Sequence, residues 1–203
     1  MKKNVKFYMV PSSPWCYLSM YRLRKLSKKY NFHISLFPID IFRIFKKKKI
    51  NFSLQNSESI QKNRINDLKR WRELLGMKLN IRPSYWPVDY IKANKLIISS
   101  SLIEEKKLSY ELAYRLCKAV WQENKNINDI RVIFKIAKEV GISKKVEEVF
   151  YSKQIQILLN KNTKLAEKDN VFGVPTFIYK KKLYWGQDRL FFLEKEVKVR
   201  LPR

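Results

Sequence analysis

The chain has 203 residues, and 45% apolar with 14% aromatic content is enough for one large domain with a real core. Its 44 Lys+Arg against 18 Asp+Glu give a formal charge of +26, but the surplus is spread along a chain with only 4 Gly, the mark of compositional drift rather than of a polyanion-binding surface. Two cysteines exclude a disulfide framework, no His/Cys/Asp cluster has metal-ligand spacing, and no apolar run approaches a membrane span.

From the amino terminus, residues 4–10 (NVKFYMV) are β-rich and stop at Pro11. That apolar run is too short for a signal peptide, so a cytoplasmic protein is expected. Pro14 sits where the first turn of a helix tolerates proline, ahead of an apolar stripe at Cys16, Met20, Leu23 and Tyr30. Residues 32–40 (FHISLFPID) read as a second strand. Strand, helix and strand of these lengths imply a right-handed parallel unit. Ser13 then lies at the carboxyl edge of the sheet and at a helix amino terminus. The basic run at 46–49 reads as a solvated loop.

From about 57 to 169 the strand signals vanish, and helical patterns cover 60–76, 89–105, 109–124, 127–141 and 144–168, with Gly76 and Gly141 as stops. Strands return at 175–179 (PTFIY) and 182–185 (KLYW), joined through Lys180 and Lys181 as a hairpin. A last helix covers about 188 to 199.

This order is the thioredoxin plan, an α/β fold whose two halves, residues 1–56 and 170–203, flank an inserted all-helical domain, 57–169. The chain resembles the 2-hydroxychromene-2-carboxylate isomerases and the kappa-class glutathione transferases, which share that plan with DsbA-type oxidoreductases. The likeness is nearly full length. It rests on FYMVPSSPWCYLS at the start, DLKRWRELLG in the first inserted helix, AVW at 119–121 and VFGVPTFIYKKKLYWGQDRL at 171–190.

Ser13 stands where a DsbA-type enzyme has its nucleophilic cysteine. Serine is a favoured helix cap. A helix amino terminus also stabilises an anion, and a hydroxyl there can donate to an external thiolate. The resemblance implies that the thiolate belongs to glutathione, with Ser13 as the catalytic residue. Cys16, at the place of the second redox cysteine, reads as an inert core thiol, and so does Cys117. Val174-Pro175 matches the cis proline that enters the third thioredoxin strand, leaving the Val174 backbone to pair with glutathione as an added strand.

The resemblance further implies that the turn at Gln187 and Asp188 grips the γ-glutamyl end, and that a polar residue after the second strand, with Asn51 the nearest candidate and Asn56 an alternative, completes the cofactor site. Trp15, Tyr85, Trp86 and Trp185 are candidates for an aromatic wall beside the thiol. Trp71, Trp121, Tyr114 and Phe134 fall at helical spacings and read as core, and His33 carries no metal or base role. Where the isomerases carry a tyrosine one turn before the Asp of the DLxRW block, this chain has Asn63.

The expected activity is a glutathione-dependent isomerisation of an aromatic 2-hydroxychromene-2-carboxylate-type substrate by reversible thiolate addition. The alternatives are a kappa-class-like glutathione transferase or peroxidase, and a non-catalytic thioredoxin-like binding protein with a basic surface. A protein disulfide oxidoreductase fails on the missing first cysteine. The expected partner is a small aromatic molecule, with no specific nucleic acid and no membrane. A homodimer is implied by the family alone.

Overall fold

The computed structural model describes residues 3–50 and 57–198. Ser13 and Pro14 build the first chain reversal. Ser13 is extended (φ −88°, ψ 122°) with its side chain accepting from the Cys16 N–H, and Pro14 fills the first position of α1 (Pro14–Tyr30). The helix ends at Asn31, whose left-handed φ of 48° suits the local hydrogen bonding of asparagine. On either side run β1 (Asn4–Met9) and β2 (His33–Pro38), paired in parallel as the strand–helix–strand reading requires.

The sheet is completed by β3 (Thr176–Tyr179) and β4 (Lys182–Trp185) in the order β2-β1-β3-β4, with β3 antiparallel to both of its neighbours. Lys180 and Lys181 join β3 to β4 with φ of 48° and 65°. Positive φ at both central residues is the twist a two-residue hairpin needs, although asparagine and glycine reach it more easily than lysine. Every residue of β3 is buried, in keeping with its central place.

Between the two parts of the sheet the described chain is helical: α2 (Ile41–Lys47), α3 (Glu58–Leu75), α4 (Ile91–Ile103), α5 (Lys106–Trp121), α6 (Ile130–Val140), α7 (Lys145–Phe150) and α8 (Lys153–Lys168). A short 3-10 turn, Gln187–Arg189, leads into α9 (Leu190–Lys198). Gly76 ends α3 at a left-handed φ of 58°. Two readings need correction. The basic run does not begin in a loop, because Lys46 and Lys47 close α2, which Asp40 caps by accepting from the Arg43 N–H and which Ile41 and Ile44 anchor in the core. The pattern at 144–168 is two helices, broken at Tyr151 and Ser152. Val146 and Phe150 share one buried face. Ile155 and Leu159 would lie roughly opposite it on a continuous helix of about 100° per residue. The break turns them into a separate small cluster with Ile98.

One main core runs from Val5, Phe7 and Phe177 of the sheet through Leu18, Met20 and Leu23 of α1 to Leu116 and Trp121 of α5, so helices and sheet fold around shared apolar contacts. At the end of α8, Asp169 accepts from the buried Tyr8 hydroxyl at 2.6 Å and from Lys6 Nζ at 2.7 Å. These bonds tie the chain leading into β3 to the centre of the sheet. No helix among the described residues is long and apolar enough to cross a membrane.

Candidate active site

The site is built at the amino end of α1. The Ser13 N–H donates to the Val10 carbonyl at 3.2 Å and its carbonyl accepts from the Tyr17 N–H at 3.1 Å, so the backbone at 13 is held from both sides. The Ser13 Oγ accepts from the Cys16 N–H at 3.3 Å. That bond uses an oxygen lone pair and leaves the hydroxyl hydrogen free to donate. Pro14 has no N–H and the Cys16 N–H is taken, so the Trp15 N–H is the first-turn donor without an intrahelical acceptor. Two donors and the positive end of the helix therefore meet at a serine that is only 9% exposed. An anion of modest size, such as a thiolate, suits that arrangement.

Cys16 is fully buried and free. Burial pushes its thiol up to about 12, against a smaller downward pull from hydrogen bonds with the Val10 backbone and the Ser13 side chain. It is a protonated core residue at neutral pH, as the sequence reading expected, and Cys117 is likewise buried with its pKa raised by desolvation. In the native protein Cys16 is therefore expected to resist thiol-directed alkylation at pH 8, and to react only once urea unfolds the chain. Between its ordinary value of 9.0 and about 12 the folded state keeps a proton that the unfolded state releases, so stability falls as pH rises through that window. Mass spectrometry after native and denatured labelling checks the first point, and urea titrations across the window check the second.

The loop that carries Ser13 is held from the segment between α3 and α4. The Trp86 indole donates to the Ser12 carbonyl at 3.2 Å, and its rings lie 5.9 Å from those of the buried Trp121. Of the residues read as an aromatic wall, Trp86 thus touches the active loop. Tyr85 is half exposed beside it, Trp15 is the second residue of α1, and Trp121 is core as expected. Trp71, Tyr114 and Phe134 are partly buried against the same core, and His33 opens β2.

Val174-Pro175 is cis. The register of β1 with β3 ends with Tyr8 opposite Thr176, so Val174-Pro175 leads into β3 at the end of β1 that continues to Val10 and Ser13. Gly173 is required by close approach: a Cβ there would overlap the Trp185 indole nitrogen, with Cε2 at 2.9 Å. Trp185 also packs on Phe172 at 4.8 Å, so its ring covers the backbone just before Val174.

Gln187 and Asp188 fall in the turn before α9. The Gln187 side chain is buried and accepts from Arg22 at 2.7 Å, and its carbonyl accepts from the same guanidinium at 3.2 Å. Asp188 pairs with Arg189. Burial lowers the Arg22 pKa, and Asp188 and Glu194 oppose that shift. Arg22 therefore fastens the turn to α1. Sequence reasoning missed it, although an arginine one residue before Leu23 on a helix with this much buried surface was a usable signal. Asn51 and Asn56 lie outside the described residues.

Comparison with known proteins agrees with this architecture. Residues 4–198 match the family described as DSBA-like thioredoxin domain. The chain is 30% identical to 2-hydroxychromene-2-carboxylate isomerase of Pseudomonas sp. (strain C18), over 95% of this chain and 89% of that protein. It is 28% identical to the protein of the same name from Pseudomonas putida, over 94% and 92% respectively. Among solved structures, a 2-hydroxychromene-2-carboxylate isomerase superposes with a TM-score of 0.80 at 25% identity, covering 95% of this chain and 93% of that one.

Proposed function

The chain belongs to the DSBA-like thioredoxin family and, within it, to the 2-hydroxychromene-2-carboxylate isomerases, and from that premise we propose that it isomerises an aromatic 2-hydroxychromene-2-carboxylate-type substrate with glutathione as cofactor. The observation that carries the cofactor is the place of Ser13 at the amino end of α1, where its oxygen receives the Cys16 N–H in a bond that does not use the hydroxyl hydrogen. A thiolate brought from outside fits that donor. The protein's own thiols do not compete, since both are buried.

The residues around Ser13 fit the rest of the tripeptide. The Val174 backbone offers the main-chain groups of an added strand, and the turn held by Arg22 offers N–H groups for a carboxylate with Asp188 for an ammonium. When bound, glutathione supplies a sulfur that adds to a conjugated carbon of the substrate and is later eliminated, so one S–C bond forms and breaks, a double bond rotates while it is single, and no cofactor is consumed. The share of the protein is electrostatic and geometric. Ser13 and the Trp15 N–H would hold negative charge on sulfur, and the loop fixed by Val10 and Trp86 would orient it.

The test is a paired assay. With a chromene carboxylate, isomerisation is expected to require glutathione and to leave its concentration unchanged. With a chlorodinitrobenzene-type electrophile, little turnover is expected. Consumption of glutathione one for one, with no isomerisation, would replace this reading with transferase chemistry.

A further inference from the structure

On α3 the row that faces inward is Leu68, Trp71 and Leu75, buried or partly buried. One turn earlier on that row stands Arg64, a position a helix ordinarily fills with an apolar side chain. Its guanidinium lies 5.0 Å from the Trp86 ring centroid. No carboxylate pairs with it among the described residues. Asp67, the acid nearest along α3, is engaged with Arg70 at 2.8 Å and with Asn63. Residues 51–56, NFSLQN, contain no acid.

Most other arginines of the fold have acidic partners, as Arg24 does in Glu111 and Arg115 in Glu139. Arg64 instead combines partial burial with an open fork of donors. Burial pulls its pKa below the ordinary arginine value, with no anion to offset the loss of water. The face of Trp86 compensates in part. A guanidinium left in this state is completed by a planar anion bound bidentately. Its location says which anion. Trp86 donates to Ser12, the residue before Ser13, so one indole links Arg64 to the loop that carries Ser13.

We propose that Arg64 is the receiver for the carboxylate of the substrate, setting which end of an aromatic 2-carboxylate enters beside Ser13. This rests on the isomerase reading above and adds a specificity-determining residue to it. The glycyl carboxylate of glutathione shares the same chemistry, and the experiment separates the two sources.

Wild type, Arg64→Met and Arg64→Lys are compared by steady-state kinetics on 2-hydroxychromene-2-carboxylate and on its uncharged methyl ester, and by calorimetric titration with glutathione. For Arg64→Met the KM for the carboxylate is expected to rise about 10- to 100-fold, the weight of one charge-assisted contact. Its kcat and its glutathione affinity are expected to stay within about twofold of wild type, the scatter usual for a residue outside the chemistry. Arg64→Lys keeps the stem and the charge and should recover part of the loss. On the ester the two variants and wild type should converge. An unchanged KM in Arg64→Met, or a loss on the ester equal to that on the acid, overturns the assignment. A fall in glutathione affinity in Arg64→Met also overturns it, because the carboxylate would then be that of the cofactor. If wild type neither binds glutathione nor isomerises the acid, the functional reading itself fails and this inference falls with it. Active wild type with indifferent variants defeats Arg64 alone.

Discussion

Replacing Ser13 with alanine is expected to lower glutathione-dependent isomerisation by about 10²- to 10³-fold, the usual loss when one preorganised donor to a developing or fixed negative charge is removed. The same change removes the side-chain cap of α1, since Ser13 Oγ accepts from the Cys16 N–H. Cap loss costs about 1 kcal/mol, and in a chain of this size that moves Tm by only about 2–4 °C. The two effects are therefore separable. Activity should collapse in a protein that remains folded at assay temperature. Ultraviolet titration of the bound thiol adds a direct readout: in wild type the pKa of the cofactor should fall on binding, and in Ser13→Ala the fall should shrink by a unit or more, about 1.4 kcal/mol per unit. Equal thiol pKa and equal turnover in both proteins would leave Ser13 with capping alone. Ser13→Cys offers a positive counterpart, because a thiol at that helix end should ionise readily and stands in Cys-x-x-Cys spacing with Cys16.

The second large effect concerns stability. Asp169→Ala is expected to destabilise the fold by about 3 kcal/mol, measured as a shift of the urea midpoint with unchanged slope. Asp169 is the acceptor for both the Tyr8 hydroxyl and Lys6 Nζ. Tyr8 is fully buried on the central strand, and burial followed by the Asp169 bond raises its pKa, so its hydroxyl stays a proton donor at every physiological pH. Without Asp169 that donor has nothing to donate to, at about 1–3 kcal/mol for an orphaned buried group, and the charge-assisted bond to Lys6 adds to the loss. Lys6 is partly exposed and recovers some hydration, which is why the sum stops near 3. Asp169→Asn keeps one neutral acceptor and should lose roughly half as much. Because Asp169 immediately precedes the chain into β3, the alanine variant should also bind glutathione more weakly than its residual folded fraction predicts. A change below about 1 kcal/mol would mean that the two bonds are dispensable.

Where local chemistry decides the backbone, the sequence was legible. Ser13 and Pro14 fix the start of α1, the Val174-Pro175 step enters β3, and Lys180 and Lys181 mark a two-residue hairpin by their spacing alone. The split at Tyr151 was hidden because the stretch keeps helical composition throughout. Only the opposed burial of Phe150 and Ile155 demands a break. α2 was hidden for the opposite reason, a strong charge pattern that masked a short helix begun by Asp40. The residues that organise the site from a distance were the least legible. Arg22, Arg64 and Asp169 owe their roles to a partner 165 positions away, to an indole in the segment after α3, and to a strand at the other end of the chain. No period or spacing encodes such pairings. They were visible at most as charged residues standing on or beside apolar faces.

Both sulfhydryls of the chain are walled off, and a hydroxyl stands at the reactive position. A serine cannot climb the ladder from sulfenic to sulfonic acid. Under peroxide stress neither cysteine of the folded protein should accumulate oxidised sulfur, and on the glutathione reading proposed above its throughput should track the reduced fraction of the surrounding tripeptide pool.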